Sequence, residues 1–172
     1  MGVSVSGQGR SPHPTWLFPF CGCRSLSSQA AGAIGKTFLC MIDISFPVSV
    51  DGIEVYNFAT VAGNIIVGIY KVATNDTPVG GAVITQSAST AMAGANQYQF
   101  IPFPSAVSLT PGQYYLAAEY SDVTATFGES NQAGNQNWSC AYTRGGGFGA
   151  LTDPCPAIST YGSVNQLNLR MV

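Results

Sequence analysis

From Thr37 onward the chain never repeats apolar residues at the 3.6-residue spacing of a helix for two turns or more. Instead, short apolar runs are cut at intervals of roughly ten residues by Gly, Pro, Asn and Asp, and such a chain can hide its apolar groups only by stacking strands in layers. Phe38 to Ile44 reads as a buried strand stopped by Pro47. Asp51-Gly52 reads as a turn ahead of Ile53, Val55 and Phe58. Asn64 to Tyr70 is β-branched and apolar on both faces, as a central strand should be. Further strands are predicted at Ala82 to Thr85, at Tyr98 and Phe100 with Pro102 and Pro104 closing the run, and at Gln113 to Tyr120 after the Leu109-Thr110-Pro111-Gly112 turn. Shorter ones fall at Thr124 to Phe127, Trp138 to Tyr142 and Leu167 to Val172. The expected fold is all-β: an antiparallel β-sandwich or jelly roll of eight or nine strands.

At 172 residues the chain has the length of one domain. Only 8% of its residues are charged, against roughly 25% in an ordinary soluble chain, while 46% are hydrophobic. A surface so poor in charge favours an oligomer, which hides part of it in contacts. Six basic and eight acidic residues give a net charge of −2 without any Lys/Arg cluster, so nucleic acid is not an expected partner. The longest apolar stretch, Phe38 to Phe46, is broken by Asp43 and is far shorter than the ~20 residues that span a bilayer, so no membrane insertion is expected.

Residues 1–35 differ in kind from residues 36–172, which are expected to form the β-sandwich domain. Pro12, Pro14 and Pro19 surround Trp16, Leu17, Phe18 and Phe20, and a Ser/Ala/Gly-rich stretch follows. This reads as an extended assembly arm. Four large apolar side chains left in water would forgo roughly 1.5–3 kcal/mol each, so the domain or a neighbour must cover them.

Reactive constellations are sparse. The sole histidine, His13, sits between prolines in the arm, where a nucleophile's general base would be poorly held. Asp43, Glu54, Glu119, Asp122 and Glu129 are scattered singly and read as solvated or turn-capping acids rather than a hydrolytic pair. Cys21 and Cys23 lack zinc-knuckle spacing, and neither a metal, a cofactor nor a catalytic residue is expected. Cys140 and Cys155 bracket a loop with Gly145 to Gly147 and Asp153-Pro154, which a disulfide would stiffen. Cys40, in an apolar strand, reads as a buried thiol. Asn135, Asn137, Trp138 and Tyr142 form a candidate glycan contact, because aromatic faces stack on sugar rings while planar amides bond hydroxyls; the alternative is a polar connection with its aromatics packed inward.

Val50 to Tyr56 (VDGIEVY), Asn64 to Tyr70 (NIIVGIY) and Leu109 to Ala118 (LTPGQYYLAA), taken together, resemble small jelly-roll virion surface proteins of tailed bacteriophages, the capsid decoration or cement proteins and fibre-tip domains. The resemblance covers about residues 37–120 and fixes β-sandwich geometry without a reactive group. It implies a non-enzymatic structural protein on the virion surface, a homotrimer in contact with other virion proteins such as the major capsid protein or tail proteins; the arm, which lies outside the resemblance, is expected to fasten it to itself or to the shell. The alternatives are a tail-fibre or receptor-binding protein contacting host surface glycans, and a free carbohydrate-binding module.

Overall fold

A computed structural model describes residues 26–73, 77–131, 139–143, 147–160, 165–167 and 169–172. The strands are β1 (Leu26–Ala30), β2 (Lys36–Ile44), β3 (Val48–Asn57), β4 (Asn64–Lys71), β5 (Val83–Gln86), β6 (Thr90–Ala91), β7 (Gln97–Leu109), β8 (Gly112–Tyr120), β9 (Thr126–Asn131), β10 (Ser139–Thr143), β11 (Ser159–Thr160), β12 (Asn165–Leu167) and β13 (Leu169–Met171). Every pairing among them is antiparallel. No described residue is helical.

Two sheets form the sandwich. One carries β1, β9, β3 and β7 in that order, with β12 against β9 and β13 against β3. The other runs β11-β10-β2-β8-β4-β5, with β6 against β4. The successive long strands β1, β2, β3 and β4 alternate between the sheets, as do β7, β8 and β9, and the four-strand orders 1-9-3-7 and 2-8-4-5 are the winding of a jelly roll. The core between the sheets holds Phe38, Cys40 and Ile42 from β2, Ile53 and Val55 from β3, Ile65, Val67 and Ile69 from β4, and Leu116, Ala118 and Tyr120 from β8. At one end Phe38, Tyr120 and Phe127 pack their rings with centroids 4.7–6.1 Å apart, two pairs edge-to-face and one stacked.

Strand β4 is buried along both faces, as its sequence predicts. Its second face belongs to a smaller cluster on the far side of the sheet, where Leu39, Met41, Ile66, Tyr70, Tyr115 and Ala117 pack against Leu151 and Cys155. Residues 147–158 therefore roof this sheet.

Three expectations are corrected. The arm boundary at residue 35 is too late: β1 pairs with β9 from Leu26↔Ser130 to Ala30↔Thr126, and Ala31 is fully buried in the core. Asp51-Gly52 is not a turn. β3 runs through it, because the Asp51 and Gly52 N–H groups donate to the Val172 carbonyl and the Gly52 carbonyl accepts from Val172 N–H. Nor do Pro102 and Pro104 close a strand, since β7 continues through both. Among the described strands β7 is hydrogen-bonded to β3 alone, and its register slips between Val50↔Val107 and Gly52↔Pro102. An edge strand with an irregular register is where a sheet tolerates residues that lack an N–H.

Candidate functional site: an outward aromatic face

The alternation in β3 and β7 decides which side chains meet solvent. Ile53, Val55, Ile101 and Phe103 are buried in the core, so their neighbours Glu54, Tyr56, Tyr98, Phe100 and Pro102 stand on the opposite, outer face. Within β7 the pattern is inverted relative to what composition suggests. Gln97 and Gln99 share parity with the core residues, while Tyr98 and Phe100 point outward. Tyr56 and Tyr98 are directly paired across the strands, their rings 5.1 Å apart and edge-to-face, and Phe58 stands 6.2 Å from Tyr56. Phe100, opposite Glu54, is 43% exposed, which makes it one of the most exposed large apolar side chains among the described residues.

Two glycines form the floor of this face. A Cβ added to Gly128 would lie 2.7 Å from Cδ1 of Tyr56, and one added to Gly52 would lie 2.6 Å from Cε2 of Phe100. Each ring lies across a glycine of a neighbouring strand, which covers the bare backbone and holds the aromatics flat against the sheet. The Tyr56 hydroxyl donates to the Asn96 carbonyl at 3.1 Å, fixing the outer end of the row.

Behind the aromatic row the inward amides anchor the loop that leads into β7. Asn57 Nδ2 donates to the Ala93 carbonyl at 2.7 Å and to Gln99 Oε1 at 2.8 Å; Gln99 Oε1 also accepts from Ala93 N–H, and Gln99 Nε2 donates to the Ala91 carbonyl. These bonds satisfy the Asn57 amide nitrogen and Gln99, with backbone partners at the end of β6 and just beyond it, while the buried Asn57 Oδ1 accepts no bond among the described residues. The row is thus backed by a hydrogen-bonded support. It can offer apolar and stacking contact to a partner surface.

The other buried polar feature lies under the roof of residues 147–158. Glu119 is fully buried; its Oε2 accepts from the Thr37 hydroxyl at 2.6 Å and its Oε1 from Gly149 N–H at 3.1 Å. The Tyr70 hydroxyl donates to the Thr152 carbonyl at 2.7 Å, Leu151 N–H donates to Gln86 Oε1, and Val83 N–H donates to Asp153 Oδ1. Gly80 N–H donates to the Cys155 carbonyl and Cys155 N–H to the Gly81 carbonyl. Glu119 is here a strut that ties the roof to the sheet.

The remaining acids are dispersed. Asp43 is exposed near the end of β2, and Glu54 is half-buried on the outer aromatic face. Asp122 accepts from both the backbone and the hydroxyl of Thr124, which lowers its pKa. The Glu129 side chain lies outside the described residues. Cys155 carries a free thiol, hydrogen-bonded to the Pro156 carbonyl and pushed up to about 12 by burial; the disulfide expected with Cys140 is not made. Its packing against Tyr70 and Leu151 already holds the loop that the crosslink was expected to stiffen. Cys40 is buried as expected.

Trp16, Leu17, Phe18 and Phe20, together with Asn135, Asn137 and Trp138, lie outside the described residues, and of Tyr142 only the backbone pairing with Thr37 is described. The residues overlooked in the sequence are Tyr56, Tyr98 and Phe100. The signal was present: Phe100 and Ile101 are adjacent, so both cannot face the core of a regular strand, and Ile101 aligns in parity with Phe103. Comparison with protein families, with characterised proteins and with solved structures finds no match for this chain.

Proposed function

We propose that the protein is a non-enzymatic structural component of a tailed-phage virion surface, decorating or cementing the capsid as an oligomer. The observation that carries this reading is the outward aromatic row on β3 and β7 of a sandwich whose inner layer is already filled. A flat sheet face bearing Tyr56, Tyr98 and Phe100 in a chain with so little charge suits contact with another protein surface. The resemblance to small virion jelly rolls supports the setting. Its three stretches fall within β3, β4 and the β7–β8 corner, which build the sandwich. A homotrimer is the arrangement favoured by the same resemblance.

The exposed rings also favour a second reading, a tail-fibre or receptor-binding protein, because tyrosine faces stack on the C–H faces of sugars. Location and copy number on purified particles separate the two. Many copies spread over the shell support decoration, a handful at the tail supports the fibre, and a protein that never co-purifies with particles overturns both. Alanine substitution of Asp43, Glu54, Glu119, Asp122 and Glu129 in turn should alter stability at most. Any glycan or ester turnover abolished by one of them in a folded protein would refute a non-enzymatic role.

A further inference from the structure

We propose that the aromatic row on β3 and β7 is the seat for the segment Trp16 to Phe20 of a neighbouring copy, each copy handing its segment to the next around a closed ring. The proposal rests on the reading that this protein assembles with itself, and it names the surface and the occupant.

Chemistry matches the two. Trp16, Leu17, Phe18 and Phe20 are interrupted by Pro19 and preceded by Pro12 and Pro14. Proline-rich segments hold a pre-set extended backbone and dock on surfaces of Tyr and Phe rings, where the rings of the seat interleave with prolines and apolar side chains. Strand addition is disfavoured on both sides of the contact, because Pro12, Pro14 and Pro19 lack N–H groups and so do Pro102 and Pro104 on the edge strand β7. The contact must therefore be made by side chains on the sheet face, which is where the seat lies.

Charge matches as well. Residues 1–25 contain Arg10 and Arg24 and no acid, while all eight acidic residues lie in the remainder with four basic ones, so the arm carries +2 and the rest −4. Glu54, directly opposite Arg170 of β13, stands within the aromatic row, and the exposed Asp51 lies on the same strand. A cationic arm is thus drawn towards an anionic domain.

The low charge of the chain, which favours an oligomer, assigns the arm to a neighbour. The chain enters the sandwich at Leu26 on β1, one edge of the sheet, and the seat is on β3 and β7 at the other edge. The span from Leu26 across the sheet to the seat is about 15–20 Å, three to four strand spacings. Placed edge to edge, head to tail, copies bring the root of one arm beside the β7 of the next, and a heterologous contact of this kind closes into a ring when the rotation allows. Phe20 lies six residues before Leu26, a reach of about 20 Å.

The test uses the full chain with the photoreactive amino acid p-benzoylphenylalanine in place of Phe18. Irradiation should give products of multiple chain mass on a denaturing gel, with the crosslink mapping to the peptide that contains Tyr98 and Phe100. Crosslinks confined to monomer mass, or mapped away from β3 and β7, overturn the proposal. In parallel, Phe100→Arg and Trp16→Ser should each reduce the mass measured by light scattering from a multiple of 17.9 kDa to 17.9 kDa with unchanged circular dichroism. If both variants keep the full mass, the seat is refuted. Particle association is scored separately: variants that lose the ring but still bind particles leave the virion reading standing, whereas a photolinked ring that never co-purifies with particles supports the seat and counts against the virion reading.

Discussion

On the outer side of β2, β8 and β4 the side chains of Leu39, Met41, Ile66, Tyr70 and Tyr115 are buried beneath residues 147–158, while on the outer side of β3 and β7 Phe100 meets solvent and Tyr56 and Tyr98 are half-covered. Both faces are aromatic, yet only one is roofed by described residues of its own chain. The roofed face is also polar where it must be: Glu119, Tyr70, Gln86 and Asp153 each bond a backbone group across the roof. The open face directs its amides inward, through Asn57 and Gln99, and leaves the rings and Glu54 outside. A roof made by the same chain needs fixed polar anchors, whereas a face kept for another segment needs only a rigid apolar surface. Substitutions on the two sheets should therefore differ in kind.

The largest effect is expected at the roofed face. Tyr70→Ala removes a fully buried ring and the anchor to Thr152, and should lower unfolding free energy by about 3–5 kcal/mol in urea titrations. Next is Glu119→Ala, which strands the Thr37 hydroxyl and Gly149 N–H and should cost about 1.5–3 kcal/mol. Glu119→Gln, whose amide oxygen can accept from Gly149 N–H while its NH2 donates to the Thr37 hydroxyl oxygen, should recover part of that loss.

Tyr120 tests the inner layer, where no sheet face is at issue. Its hydroxyl is buried without a partner among the described residues, so Tyr120→Phe should stabilise the fold by about 1 kcal/mol. Burial raises the pKa of this hydroxyl and pushes the Cys155 thiol up to about 12. Both groups are neutral when protonated, so above the unfolded-state values of about 8.5 for Cys and about 10 for Tyr the native state holds protons the unfolded chain has lost. Stability should be unaffected by these groups at neutral pH and fall as pH rises from about 8.5 towards 12; Tyr120→Phe should flatten the upper part of that fall, and an unchanged slope would show that Tyr120 is not the titrating group. The smallest effect is expected on the open face. Phe100→Ser should change monomer stability by no more than about 0.5 kcal/mol, and a loss like that of Tyr70→Ala would erase the distinction between the faces.

The strands that cross the middle of the sheets were legible because their own residues carry the signal: β2, β4 and β8 are apolar on both faces, a pattern that central position alone explains. What escaped depends on partners distant in sequence. β1 reads LSSQA, with one large apolar residue, and is a strand because β9 supplies its ladder. Asp51-Gly52 has turn chemistry, and Val172 overrides it with three backbone hydrogen bonds. The prolines of β7 are strand breakers in a central position and harmless at an edge. The aromatic row was hidden for a related reason: Tyr98 and Phe100 look like core residues until Ile101 and Phe103 claim the inner face, and nothing local says that Gln99 will be needed by Ala91 and Ala93.

The pairing of Leu26 with Ser130 has a consequence for how the molecule is made. A ribosome emits β1 early and its ladder partner β9 about a hundred residues later, an interval of roughly 5–20 s at the usual 5–20 residues per second. Throughout that time β1 has no edge to join, and β2, which follows it directly, must likewise wait for β8. The β1 edge of the sandwich therefore closes late, and the nascent chain depends on its sparse apolar content in β1, on Ser27, Ser28 and Gln29, to remain unattached until β9 arrives.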